Sequence, residues 1–201
     1  MKSIHFKFLI TLTMLCTGVT VHGSWLTNDS ANRKGFALIS RQGSVPLVYD
    51  KQDFPVVEIA TGDLAEDIQA VTGQTPDIST SLPDTILNAA VLIGTLGKSD
   101  LINAVASNGK VPELKTLRGQ WEGYLIKVVE YPLPGIKRAL VIAGSDRRGT
   151  AFGVYQLSKA IGVSPWHWWA EVPVKKRDTL LLRADLAVLK KPHVLPGDVP
   201  Q

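Results

Sequence analysis

Apolar residues follow two patterns along this 201-residue chain, and each predicts a different kind of element. Unbroken runs, Ala90-Val91-Leu92-Ile93-Gly94 and Leu140-Val141-Ile142-Ala143, predict strands covered on both faces. Helical spacing predicts a helix over Val56 to Val71, where Ala60, Leu64, Ile68 and Val71 recur and Thr72-Gly73 stops the pattern. Glu58, Asp63, Glu66 and Asp67 fall on its other faces, as a solvated surface rather than a catalytic pair. A second helix, from Thr150 to Ile161, places Phe152, Val154, Tyr155, Leu157 and Ile161 on one broad face and ends at Gly162. Between these, Ser99 to Ala106 predicts a short helix capped by Ser99 or Asp100, and Asn108-Gly109 a turn.

Shorter signals complete the plan. Phe36 to Ser40 and Leu47 to Tyr49 predict two strands around the turn Arg41-Gln42-Gly43-Ser44. From Tyr124 to Tyr131 two sets of side chains alternate as on a strand, and Pro132 with Pro134-Gly135 turns the chain back into Ala139 to Ala143. Thr179 to Val188 is expected to be a last strand, and 189–201, with Pro192, Pro196 and Pro200, an unstructured tail. Strands alternating with helices predict the α/β class, a mixed β-sheet flanked by helices, over residues 24–188.

The first 23 residues change the picture at one end. Lys2 and Lys7 precede a mostly apolar stretch, Phe8 to Val21, and Val21-His22-Gly23 before Ser24 suits cleavage of a signal peptide. The expectation is an exported protein, periplasmic or extracellular, with no membrane span after signal cleavage. The single cysteine, Cys16, lies inside that signal, so residues 24–201 hold no disulfide, cysteine–metal site or cysteine nucleophile. Without Lys2 and Lys7 the formal net charge falls from +4 to +2, too weak a field for nucleic acid. Lys175-Lys176-Arg177, the one basic cluster, reads as a solvated loop.

Chemistry concentrates in Leu140 to Val174. Ser145 or Asp146 can cap the helix that follows the strand, but Arg147 and Arg148 oppose its dipole, at about 0.3–1 kcal/mol each. An ion pair, exposure to water, or a carboxylate on a ligand or partner domain would offset that cost. The turn GSDRRG lacks the GxGxxG fingerprint and the P-loop ending, so nucleotide binding is the weakest of the alternatives. Trp166, Trp168 and Trp169 surround His167. Indole rings stack on sugar faces, but equally plug a core or face a neighbouring domain. His167 has no second ligand at metal spacing, and neither a metal nor a cofactor is called for.

The run GSDRRGTAFGVYQLSKAIGVSPWHWWAEVPVKK, 144–176, resembles the N-terminal domain of glycoside hydrolase family 115, the xylan α-1,2-glucuronidases, and the likeness continues upstream through Val56 to Gly73. The resemblance implies an accessory N-terminal α/β domain that precedes a catalytic barrel. It further implies removal of glucuronic acid or its 4-O-methyl ether from glucuronoxylan. Such hydrolysis needs two carboxyls flanking the scissile bond, and no credible pair stands in this sequence. The expectation is a fragment from a truncated, frameshifted or split gene, inactive alone. Arg147, Arg148 and Trp166 to Trp169, with His167, would face the missing or separately encoded barrel or rim its pocket. Its partners would be that barrel and acidic xylan or xylo-oligosaccharide. The alternative is a free-standing sugar-binding module using the Trp166–Trp169 cluster.

Overall fold

The strand Ala90–Thr95 (β5) runs through the middle of the molecule, all six of its residues buried. In this computed structural model, residues 24–27, 35–41, 43–164, 167 and 172–190 are described. Residues 1–23, where a signal peptide is expected, the tryptophans at 166, 168 and 169, and residues 191–201, most of the expected tail, lie outside them.

Before β5 come Phe36–Ser40 (β1), Gly43–Ser44 (β2), Leu47–Tyr49 (β3), the helix Pro55–Thr72 (α1) and Ile78–Ser79 (β4). After it come the helix Asp100–Ser107 (α2), a 3-10 turn at Pro112–Leu117, Tyr124–Leu133 (β6), Ile136–Gly144 (β7), the helix Arg147–Ile161 (α3), Leu180–Leu182 (β8) and Ala187–Lys190 (β9). Six strands form a mixed sheet in the order β4-β3-β5-β7-β6-β9, and three form a smaller sheet, β2-β1-β8. In the larger sheet β4, β3, β5 and β7 are parallel, β6 runs against them, and β9, antiparallel to β6, runs with them again.

Both faces of the large sheet are buried, which is why its central strands are apolar without interruption. Val91, Ile93, Leu140 and Ile142 point to one side, where α1, α3 and the small sheet pack. Leu92, Val141, Leu125 and Ala143 point to the other, against α2 and the 3-10 turn. Leu64 and Ile68 of α1 are fully buried on the first side, and each contributes about 1.5–3 kcal/mol by leaving water. Ser99 caps α2 by accepting from the Ile102 N–H, and glycines in the left-handed region, Gly73 and Gly162, end α1 and α3.

Several sequence-based expectations are corrected. β1 and β3 do not form a hairpin: β1 pairs with the two residues of β2, and β3 joins the larger sheet beside β5. The segment Thr179 to Val188 is not one strand. Its first half pairs with β1 and its second half, extended to Lys190, pairs with β6, so residues 189 and 190 belong to the sheet rather than to a tail. On α3 the inner face is built from Thr150, Ala151, Gly153, Val154, Leu157, Ser158 and Ile161. Phe152 and Tyr155 stay 41% and 42% exposed, because small residues bring the helix backbone against the sheet and turn the large rings outward. Asp67 is not solvated but buried against α3, and Asp63 accepts a 2.6 Å hydrogen bond from the Tyr155 hydroxyl. The basic cluster is solvated as expected at Lys175 and Lys176, but it is also tethered to α1: Lys176 Nζ donates to the Ala70 carbonyl at 2.6 Å and the Arg177 N–H to that of Val71 at 2.9 Å.

Candidate functional site

In an open α/β sheet, ligands enter where neighbouring parallel strands send their connections to opposite faces. Here that place lies beyond the ends of β3 and β5, since β3 leads to α1 on one face and β5 to α2 on the other. Asp53 fills it. Its carboxylate accepts from the Thr95 N–H at 2.6 Å and the Phe54 N–H at 2.7 Å. Behind it the Thr95 and Thr150 hydroxyls share a 2.8 Å hydrogen bond. The amides that would meet an anion are thus held by the chain's own carboxylate.

The neighbouring turn from β7 into α3 is closed in the same way. Asp146 is the cap, accepting from the Gly149 N–H at 2.7 Å with one oxygen and from the Glu122 N–H at 2.8 Å with the other. Ser145 and Gly123 exchange further bonds, the Ser145 N–H to the Gly123 carbonyl and the Gly123 N–H to the Ser145 hydroxyl, each at 2.9 Å. Two glycines permit this closeness. A Cβ on Gly144 would strike the Thr150 backbone, and one on Gly149 would strike the Gly123 carbonyl. The glycines of GSDRRG therefore serve helix–strand and loop packing, and the helix N-terminus offers no free cradle for phosphate.

Of the two arginines, Arg148 finds its counter-charge inside the protein. Its Nε lies 2.9 Å from Glu122 Oε1, and its guanidinium sits 5.7 Å from the ring centres of both Trp121 and Phe152. Glu122 adopts a left-handed backbone, φ 55°, which aims the loop so that Trp121 stands 64% exposed beside the arginine. Arg147 is exposed and makes no ion pair with a described residue. The structure thus gathers Trp121, Glu122, Arg148 and Phe152 into an exposed stack, of which the sequence had singled out only Arg148. The signal present was the aromatic–acid pair Trp121-Glu122 just ahead of β6, but only the fold brings it next to α3.

His167 lies near the far end of α3. Its Nδ1–H donates to the Val172 carbonyl at 2.8 Å, a bond that holds the chain where it leaves the helix. Asp67, buried close by, has its carboxyl raised above the ordinary range chiefly by burial, while Ser158 and His167 pull the other way and Asp63 and Glu66 add to the rise. The buried Ser158 hydroxyl faces it without a well-aligned hydrogen bond. Among the described residues no group of His, Cys, Asp and Glu could hold a metal ion, and no helix is long and apolar enough to cross a membrane. The carboxylates nearest the α3 turn, Asp53, Asp146 and Glu122, are all engaged in holding the backbone or Arg148.

Residues 26–157 match the family described as glycosyl hydrolase family 67 N-terminus. Among solved structures, a family 115 4-O-methyl-α-glucuronidase with specificity for decorated arabinogalactans is 32% identical, with a TM-score of 0.61 over 77% of this chain. The chain spans 18% of that enzyme's length. A family 20 β-N-acetylhexosaminidase from Streptomyces coelicolor A3(2) aligns at 13% identity and a TM-score of 0.44, over 79% of this chain and 24% of its own. No curated protein matches.

Proposed function

The chain belongs to the family of glycosyl hydrolase family 67 N-terminal domains, and on that footing we propose that it is the accessory N-terminal domain of an α-glucuronidase. The observation that carries this reading is the pairing of the family match with a structural relative that removes 4-O-methylglucuronate. The likeness of 144–176 to family 115 extends the reading to cleavage of α-1,2-linked glucuronate or its 4-O-methyl ether from glucuronoxylan, outside the cytoplasm. The barrel that bears the acid and base is the partner. On this reading the candidate contacts with that barrel or its pocket are Arg147 and Arg148 at the start of α3, His167 past its other end, and the tryptophans at 166, 168 and 169.

Hydrolysis of a glycosidic bond requires one carboxyl to protonate the leaving oxygen and a second to attack or to activate water. The described carboxylates of the α3 end have structural partners instead, which supports a domain that is inactive by itself. Purified and incubated with glucuronoxylan, the chain is expected to release no glucuronate. Sustained release, abolished by no contaminant control, would overturn the reading.

A further inference from the structure

The opposite end of the sheet carries a groove unconnected with the α3 turn. It lies between the tip of the β6–β7 hairpin and the segment around Ile86, has a volume of about 540 Å³, and falls in the ~300–1,000 Å³ range of small-molecule sites. Its walls include Ile86, Tyr131, Pro132 and Ile136, with Asn108, Lys110 and Lys137 as the polar members.

Three observations set it apart from an ordinary surface dip. Tyr131 has φ 50°, a left-handed conformation that bulky residues rarely adopt, at an irregularity where β6 and β7 lose register between Glu130 and Leu133. Such strain persists only where the surroundings impose it. Here they do: Lys110 Nζ donates to the Tyr131 carbonyl at 2.6 Å, and Asn108 Nδ2 donates to the carbonyl of Pro132. The backbone is thereby held in this conformation, and it carries the phenol ring out to 60% exposure. Second, the charge is one-sided. Lys110 stands 5.7 Å from the Tyr131 ring centre, Lys137 lines the same groove, and neither is ion-paired to a described residue. Third, the nearest acid on the strand is spent elsewhere, since Glu130 pairs with Arg138 at 2.7 Å.

An exposed aromatic face, two ammonium groups and an amide beside apolar walls suit a ring that is apolar on one face and anionic at its edge. We propose that this groove binds a uronate unit of an acidic oligosaccharide, with Tyr131 stacking on the pyranose and Lys110 and Lys137 meeting its carboxylate. The choice of a uronate rests on the proposed α-glucuronidase reading; the groove itself rests on Tyr131 and the lysines. It gives the domain a hold on the polymer separate from the α3 end.

The test is calorimetric titration of the whole chain with a 4-O-methylglucuronate-substituted xylo-oligosaccharide and with its unsubstituted counterpart. The substituted sugar is expected to bind at least about tenfold more tightly than the neutral one, and added salt to narrow the gap. Tyr131→Gly is the informative variant, because glycine accepts the left-handed backbone: its melting temperature is expected not to fall, while binding weakens about tenfold. Lys137→Gln, which breaks no bond of the fold, is expected to weaken only the acidic sugar. Binding that survives both substitutions would overturn the groove while leaving the glucuronidase reading intact. No binding of either sugar to the unaltered chain would also overturn the groove, and the reading would then stand or fall on glucuronate release with a family barrel supplied.

Discussion

Asp67 shows how far a single side chain can depart from its place on a helical wheel. The spacing of α1 sets it beside Glu66 and Asp63 on a polar face, yet α3 packs over that face and leaves it 7% exposed. Burial raises its carboxyl, so the folded state holds the proton more tightly than the unfolded chain does. Stability therefore falls as pH climbs from the ordinary aspartate range through the raised folded value, and above that the loss is complete. Asp67→Asn is expected to raise the urea midpoint at neutral pH, with the gain shrinking as pH falls from the raised folded value to the ordinary aspartate range and levelling off below it. An equal gain at every pH would show that ionisation is not the cause. Gly149→Ala makes the opposite case. Its new methyl meets the Gly123 carbonyl, and the expected loss is about 1–3 kcal/mol by thermal unfolding, with no ligand needed to see it. The Asp146 cap could be foreseen because capping depends on neighbours in sequence. The partners of Arg148 could not, since Glu122 and Trp121 lie on the loop before β6.

Helices and strands were legible where their signal was local. The β5 run, the β6–β7 hairpin and the capped α2 stand almost where spacing and turn residues put them. What spacing does not carry is partnership. Whether Leu47–Tyr49 pairs with the strand before it or with β5 depends on contacts over 40 residues away, and the outward turn of Phe152 depends on how closely α3 can approach Ile142 and Tyr124 across Gly153. The same limit hid the role of Lys176. No basic residue lies in the last turn of α1, and Lys176 supplies the missing charge from a distant loop, at the Ala70 carbonyl. Lys176→Ala is expected to cost about 0.3–1 kcal/mol in chemical unfolding, more at low salt than at high. A loss indifferent to salt would point to packing of its methylenes instead.

For the molecule as a whole, the small sheet decides how the polypeptide closes. β1, near the start of the described residues, has Phe36, Leu38 and Ile39 buried, and its long partner is β8, more than 140 residues later. Leu26 also bridges to Leu182. A few residues on, β9 completes the far edge of the large sheet against β6. During synthesis, then, three large apolar side chains emerge early and wait for a strand made more than 140 residues later. Until it arrives, their edge is open to chaperones or to the β1 of a neighbouring nascent chain. A nascent chain stalled at residue 178 is expected to be protease-sensitive around β1, whereas one extended until β8 and β9 have cleared the ribosome is expected to resist.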